Sequence, residues 1–199
     1  EKPDVIIDFS HPSTLENLLN YAIKNNIPCV ISTTGYSLMQ INQIENASKQ
    51  IPIFFSANMS LGVCLLSELA KKAALFLGED FDIEIVEKHH NQKIDAPSGT
   101  ALMLGNEINS VCNNKYEYVY NRQSKREKRA KNEIGFAAIR GGTIVGEHDV
   151  IFAGLDEVIT LSHSAYSKSI FATGSVNAAI FIKNKPAGLY KMQDILKQV

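Results

Sequence analysis

Short apolar runs alternate with helix-like segments over the first 60 residues. Three such runs are rich in β-branched or aromatic residues, which is typical of strands buried on both faces: 5–9, 29–31 and 51–55. Between them, apolar residues recur at helical spacing over 15–23 and 38–44. Strands that alternate with helices through short connections predict right-handed crossovers and a parallel sheet.

Side chains that can cap a helix stand just before both helical patterns. Ser13 is followed three residues later by Glu16, and Ser37 is followed by Gln40. This spacing is that of a capping box, in which each side chain satisfies a free backbone N–H at the helix start. The sequence therefore predicts helix starts at both positions.

The pattern changes after Gly78, which we expect to end a long helix that begins near residue 60. Residues 81–85 alternate apolar and polar positions, as in a strand with one solvated face. A helix is expected at 101–112, and a helix at 170–182 is expected to return to the first domain. Several further strands, closely spaced, are expected to be antiparallel: 134–138, 143–145, 149–153 and 157–162.

Composition narrows the class of protein. The 199 residues are 45% hydrophobic and carry 20 basic against 21 acidic side chains, for a net charge of −1. This balance excludes a disordered chain and gives no general attraction to nucleic acid or to an anionic membrane. No apolar run approaches the length of a membrane span. The three cysteines (Cys29, Cys64 and Cys112) form no CxxC pair, which predicts reduced thiols in the cytoplasm.

Small polar residues follow each of the first three predicted strands, at 8–10, 32–35 and 56–59. The carboxyl ends of parallel strands form the edge at which such sheets bind ligands. Exposed backbone N–H and C=O groups there suit a flat polar ligand, such as a ring that bears an amide. The alternative is three ordinary turns whose serines only cap helices.

The highest concentration of potentially catalytic side chains lies between residues 87 and 101. Two histidines (His89 and His90), one lysine (Lys93) and one aspartate fall within seven residues. Ser98-Gly99-Thr100 then opens a helix, where free N–H groups attract a carboxylate or phosphate, and Lys93 adds a full charge. His89 or His90 can donate a proton near neutral pH. Adjacent side chains of an extended segment point opposite ways, so we expect different roles for the two histidines.

Other interpretations of this stretch remain open. Paired histidines can bind a metal, but no Cys, His or Glu stands at a familiar ligand spacing, so we predict no metal site. A solvated loop with incidental histidines is a second alternative. The basic segment 122–131 is expected to be a mobile solvated loop, or one that folds over an acidic substrate. His148 and His163 are expected to be hydrogen-bonded within the sheet or at an interface.

The stretch Glu87–Ala101 resembles the signature of the dihydrodipicolinate reductase family, E-x-H-H-x-x-K-x-D-A-P-S-G-T-A, at every fixed position. Residues 5–10, 32–35 and 56–62 are also similar to segments of that family, as are Gly146-Glu147-His148 and Phe171-Ala172. Ser32 stands where the family usually has Gly, and Met59 where it usually has Phe.

The resemblance implies an α/β enzyme of lysine and diaminopimelate biosynthesis that reduces a cyclic dicarboxylate with NADH or NADPH. It implies a partial Rossmann-like sheet domain (1–60 with 171–199) and an α+β substrate-binding and oligomerisation domain with a mixed or antiparallel sheet (61–170). His89 would be the proton donor with Lys93 as its partner. The substrate would be held by His90, Ser98, Gly99 and Thr100. The cofactor would be held by Phe9, Ser32, Thr33, Thr34, Ser56, Ala57, Asn58 and Met59. A cytoplasmic homotetramer, with no nucleic-acid or membrane partner, is also implied.

The Gly-rich turn that binds a pyrophosphate is absent from the sequence. Two strand–helix units of ~30 residues each would have to precede Glu1, so we expect a piece of a longer chain. The alternative is a naturally short homologue. If the preceding units exist, the protein is a complete reductase. If they do not, it acts only as an inactive module for dicarboxylate binding or oligomerisation. NADH and NADPH cannot be distinguished from these residues.

Overall fold

The computed structural model describes residues 2–197 and divides the chain into two compact units. The first consists of residues 1–64 and 169–199, and the second of residues 65–168. The sequence places the domain changes near residues 60 and 170. An α/β chain with one parallel and one mixed sheet confirms the expected fold class.

The first unit is built on a four-stranded parallel sheet in the order β1-β2-β3-β9. Its strands are short and are all parallel to their neighbours: β1 Ile6–Asp8, β2 Cys29–Ile31, β3 Pro52–Phe55 and β9 Gly188–Tyr190. Its helices are α1 Leu15–Asn25, α2 Leu38–Ser48, α5 Ser169–Ile182 and α6 Met192–Leu196. The helix α3, Leu61–Leu77, begins in this unit and continues into the second.

Both faces of this sheet are covered, which explains why its strands are continuously apolar. Cys29 and Ile31 pack with α1 and α2 on one face, whereas Val30 and Phe54 pack with α5 and α6 on the other. Adjacent residues of one strand thus enter two different cores. The arrangement leaves the carboxyl ends of β1, β2 and β3 at one edge of the sheet.

Two details of the first unit differ from the sequence-based expectation. Ser13 does not start α1 with a capping box. Residues 12–14 instead form a 3-10 turn, in which the His11 side chain accepts from the Ser13 N–H, and Thr14 makes no side-chain cap. Strand β9 was not predicted, because three residues without periodicity give no local signal. The capping box of Ser37 and Gln40 is confirmed.

The second unit contains a five-stranded mixed sheet in the order β5-β6-β4-β7-β8. The strands are β4 Asp82–His89, β5 Glu117–Val119, β6 Glu133–Arg140, β7 Gly146–Ala153 and β8 Val158–Ala165. Helices α3 and α4 (Gly99–Val111) pack on one face, where Ile83, Ile85, Phe136 and Phe152 join the core. As expected, Gly78 follows α3, with a φ of +64° that favours glycine.

Two expectations for this sheet are wrong, and a third needs an addition. Strand β6 is parallel to both β4 and β5, not antiparallel, because a long connection separates it from β4. Residues 143–145 form no strand and belong to the turn between β6 and β7. The basic segment 122–131 is a loop exposed at every position except Arg129, as expected, but two of its arginines are bound. Arg122 binds Glu84 and Glu133, and Arg129 binds Asp82 and Glu84, so two arginines fasten the segment to the sheet.

Candidate functional site

The carboxyl edge of the parallel sheet borders a cavity of about 440 Å³. Six of the eight residues predicted to bind the cofactor line it, together with three residues of the first turn and one of α5: Phe9, Ser10, His11, Pro12, Ser32, Thr33, Thr34, Ala57, Met59 and Phe171. The other two predicted residues, Ser56 and Asn58, shape the adjoining turn. The Ser56 hydroxyl donates to the Asn58 carbonyl at 2.7 Å.

Asp8 ties the ends of two strands together at this cavity. Its carboxylate accepts from the Thr33 hydroxyl at 2.7 Å and from the Ser10 hydroxyl at 2.5 Å. Its carbonyl accepts from the Ser32 N–H at 2.8 Å. The Ser32 hydroxyl, by contrast, is buried and has no hydrogen-bond partner among residues 2–197. The cavity therefore presents a rigid polar wall with one donor group still unsatisfied.

The second cluster begins with the alternation of β4. Buried and half-buried residues alternate along the whole strand, so Glu87 and His89 lie on the inner face while Lys88 lies on the outer face. The Glu87 carboxylate is 1% exposed and accepts from His89 Nδ1 at 2.6 Å. Arg140, the partner of His89 in the β4–β6 register, donates two hydrogen bonds to the same carboxylate, at 2.7 and 2.8 Å.

The start of α4 is fixed to the same carboxylate. The Ser98 N–H donates to Glu87 at 3.0 Å, and the Ser98 hydroxyl caps the helix by accepting from Ala101. That hydroxyl also lies 3.0 Å from His148 Nε2. Both polar groups of Ser98 are therefore already engaged within the protein. The predicted substrate-binding residues Gly99 and Thr100 form the first turn of the helix that Ser98 caps.

Lys93 lies in the loop between β4 and α4 and pairs with Asp95 rather than with His89. Its Nζ is 2.8 Å from the Asp95 carboxylate, which is 58% exposed. The pKa of Asp95 is lowered by the hydrogen bond from Lys93, with a further contribution from the Gly99 N–H. An internal carboxylate thus occupies the cationic loop and the helix start that the sequence predicts for substrate. His90 is half-buried and follows β4 directly.

Two histidines flank the cluster on neighbouring strands: His148 is buried and His163 is half-buried. His148 lies edge-on to His89, with the ring centroids 5.2 Å apart, and pairs in register with His163. Both have a buried Nδ1 atom without a hydrogen-bond partner in the described part of the chain, whereas His148 Nε2 lies 3.0 Å from the Ser98 hydroxyl, so the expected hydrogen bonding is met in part. Burial, followed by the neighbouring charge of His89, lowers the pKa of His148 to about 4. His148 is therefore neutral at physiological pH.

The charge state of Glu87 follows from its partners. Burial opposes ionisation, but hydrogen bonds from Arg140, His89 and the Ser98 N–H outweigh it and lower the pKa of Glu87. The carboxylate is therefore ionised near neutral pH, and the bidentate Arg140 balances its charge. Among residues 2–197, no group of three or more His, Cys, Asp or Glu side chains is placed to hold a metal ion.

Comparison with known proteins shows the family to which both units of the chain belong. A family model described as "Dihydrodipicolinate reductase, N-terminus" matches residues 1–59, and "Dihydrodipicolinate reductase, C-terminus" matches residues 62–196. The chain belongs to the dihydrodipicolinate reductase family. It is accordingly an NAD(P)H-dependent oxidoreductase, as the resemblance implied, and the cofactor is NADH or NADPH.

Individual members of the dihydrodipicolinate reductase family match over nearly the whole chain. The 4-hydroxy-tetrahydrodipicolinate reductase of Caldanaerobacter subterraneus subsp. tengcongensis is 58% identical over 100% of this chain and 78% of its own length. That of Clostridium tetani is 53% identical over 97% of this chain and 75% of its own length. A dipicolinate-bound dihydrodipicolinate reductase from Paenisporosarcina sp. TG-14 superposes with a TM-score of 0.75 at 26% identity, covering 95% of this chain and 72% of that one.

The local reductase signature contains Glu87 and His89 but neither Arg140 nor His148. The contact of Glu87 with His89 could have been predicted, since residues two positions apart on a strand lie on the same face. Arg140 and His148 lie 51 and 59 positions beyond His89 and reach it only through the pairing of β6 and β7 with β4. No local pattern marks that approach.

Proposed function

We propose that this chain reduces 4-hydroxy-tetrahydrodipicolinate to tetrahydrodipicolinate, with His89 as the acid. The observation that carries the proposal is the arrangement around Glu87. One carboxylate holds both the imidazole of His89 and the start of the α4 helix, beside the loop that carries Lys93. Proton donor, cation and helix N-terminus are thereby joined in one segment. A ring that bears two carboxylates suits this combination.

The residues of the 440 Å³ cavity fit a nicotinamide ring. Its walls combine the apolar surfaces of Met59 and Phe171 with the polar ends of β2. The carboxamide of the nicotinamide can form a hydrogen bond with the Ser32 hydroxyl, which is buried and has no partner among the described residues. Such a bond is favourable because a buried hydroxyl without a partner costs free energy. A bound nicotinamide supplies the hydride. Ser32, Thr33 and Thr34 then orient the ring, with Asp8 holding Thr33 in place.

The position of His89 indicates which of its atoms donates the proton. A Cβ atom on Gly146 would lie 3.1 Å from His89 Nε2, so the glycine leaves room beside that nitrogen. The 4-hydroxyl group of the substrate leaves as water, which gives an unsaturated ring. As hydride addition then builds electron density on that ring, His89 delivers its proton from Nε2. Lys93 and the N–H groups of Gly99 and Thr100 hold the substrate carboxylates, displacing Asp95 from Lys93. His90 completes the substrate contacts, and Ser98 acts by fixing the helix start.

The test compares His89→Gln with Lys93→Ala. If His89 is the acid, kcat falls by ~10²–10⁴ in His89→Gln. Its affinity for dipicolinate, measured by calorimetry, stays near that of the wild type. In Lys93→Ala, dipicolinate binding weakens as well, because a cation that binds a carboxylate is lost. Circular dichroism establishes that both variants are folded.

The outcomes separate the reductase from a binding module. Unchanged turnover in His89→Gln would remove the acid assignment. Dipicolinate binding without NAD(P)H oxidation in the wild-type protein would favour the module that only binds dicarboxylate or oligomerises.

The outer face of the five-stranded sheet supports the proposed homotetramer. No helix packs on the face that carries Ile139, Ile151 and Val158 in the described part of the chain, and Ile139 and Val158 are 48% and 62% exposed. Charged side chains lie among these residues, since Lys88 is the register partner of Ile139 and Glu84 that of Ile151. A second copy would therefore cover a face of mixed polarity. No described helix is long and apolar enough to cross a membrane. We place the enzyme in the cytoplasm, with no nucleic-acid partner. Light scattering measures the assembly, and a monomer would contradict it.

A further inference from the structure

Glu87 is the most heavily hydrogen-bonded buried carboxylate of the second cluster. It is 1% exposed, and four donor groups surround it: His89 Nδ1, two nitrogens of Arg140 and the Ser98 N–H. These donors come from β4, from β6 and from the start of α4. A carboxylate has room for about four such bonds, so the acceptor is saturated.

The bond to His89 has a defined direction. Glu87 is ionised and can only accept, so Nδ1 must carry the proton that it shares with the carboxylate. A neutral imidazole carries one proton, which leaves Nε2 without a hydrogen in that state. Nε2 is the nitrogen that faces the space beside Gly146. The carboxylate thus determines which nitrogen takes up and releases the second proton.

Arg140 determines where the carboxylate lies. Its guanidinium binds both carboxylate oxygens and also donates to the Asp95 carbonyl at 2.6 Å. The planar fork holds Glu87 in one orientation, which a single point charge would not. Because Asp95 neighbours Lys93, the same arginine links the acid to the cationic loop.

We propose that Glu87 is a positioning residue that fixes His89 in the Nδ1–H tautomer and so reserves Nε2 for the transferred proton. The inference rests on the proposed role of His89. In the step, the Nε2–H bond of the imidazolium breaks and a bond from that proton to the substrate forms. The imidazole is left neutral, with Nδ1–H still donating to Glu87. Glu87 itself takes up no proton.

The variant Glu87→Gln tests the proposal with little change of shape. Glutamine offers one acceptor oxygen in place of two, and Arg140 and the Ser98 N–H compete for it. Its amide N–H then faces His89 Nδ1, which must accept, so the neutral ring changes to the Nε2–H tautomer. We expect kcat to fall by roughly 10- to 10²-fold, less than in His89→Gln, with dipicolinate affinity within about twofold of the wild type.

The deciding measurement is the nitrogen NMR spectrum of the full protein labelled with ¹⁵N-histidine. His89→Gln assigns the signals of His89 by their disappearance. In the wild type at alkaline pH, Nδ1 should show the protonated type of shift and Nε2 the unprotonated type. The two should exchange in Glu87→Gln. Glu84→Gln, which alters a carboxylate of the same strand paired with Arg122 and Arg129, should leave both signals in place.

Each outcome bears on one claim. A wild-type spectrum with the proton on Nε2, or unchanged shifts in a folded Glu87→Gln, would overturn the role of Glu87 even if His89→Gln is inactive. Full activity of His89→Gln would overturn the proposed acid instead. The wild-type spectrum decides the tautomer even if Glu87→Gln fails to fold.

Discussion

The buried His148 should make the protein lose stability in mildly acidic solution. Its ordinary pKa is 6.5, and burial with the nearby charge of His89 lowers it to about 4 in the folded protein. Between these values the unfolded chain binds a proton at this residue and the folded chain does not. Stability therefore falls as the pH drops from about 6.5 towards about 4, and this contribution is constant above pH 7.

The magnitude follows from the difference between the two pKa values. One pKa unit corresponds to about 1.4 kcal/mol, so the full effect is about 3 kcal/mol. At pH 5 the linkage relation gives about 2 kcal/mol. The lowered pKa of Glu87 acts in a separate window, because its stabilisation is complete above about pH 4.5 and is lost only as the pH falls further. The range from pH 7.5 to 5 therefore excludes the carboxylate. Burial also lowers the pKa of His163, which acts in the same range, so a variant is needed to separate the contribution of His148.

The perturbation is His148→Gln, whose amide nitrogen can replace Nε2 at Ser98 without titrating. Urea unfolding is followed by circular dichroism at pH 7.5 and pH 5. The free energy of unfolding of the variant, relative to wild type, should rise by about 2 kcal/mol between the two conditions. His11→Gln, the same exchange at an exposed histidine, controls for the substitution. A pH-independent difference between wild type and His148→Gln would refute the reasoning.

Three further outcomes test other parts of the structure. Ser32→Ala removes the unpartnered hydroxyl, so it should raise the cofactor-free unfolding free energy by about 1 kcal/mol while weakening NADH binding in a fluorescence titration. Asp95→Asn releases Lys93 from a half-exposed ion pair, so the Kd for dipicolinate should fall about two- to fivefold by calorimetry. Gly174→Ala places a methyl group against the Met59 carbonyl, so the free energy of unfolding, measured in urea, should fall by roughly 1–3 kcal/mol. Unchanged values would contradict each expectation.

Local patterns were sufficient for most of the first unit. Strands β1 to β3 are continuously apolar because the sheet is covered on both faces. The capping box of Ser37 and Gln40 predicts the start of α2. Strand β9 could not be predicted, since Gly188–Tyr190 becomes a strand only by pairing with β3, more than 130 residues earlier. Its structure is set by its neighbour rather than by its own residues.

The candidate site likewise combines residues that a local pattern predicts with residues that only long-range strand pairing brings together. His89, Lys93 and Ser98 fall within one short segment, so their chemistry is visible in the sequence. Arg140 and His148 approach His89 only because β6 runs parallel and β7 antiparallel to β4. Strand direction depends on the path of the long connection between β4 and β6, and the helix α4 within that connection does not by itself determine the direction. His89 was therefore predictable as a candidate acid, whereas its contacts with residues of β6 and β7 were not.

The discontinuous first unit has a consequence for synthesis of the protein. Helix α5 and strand β9 emerge from the ribosome only after the whole second unit, because they begin at residues 169 and 188 whereas β3 ends at residue 55. At ~5–20 residues per second, this delay is roughly 6–27 s. Throughout that time Val30 and Phe54 lack the helix that covers them in the finished fold. The nascent chain therefore carries an open apolar sheet face while its second unit already folds, which makes it a candidate client for chaperones that shield growing chains.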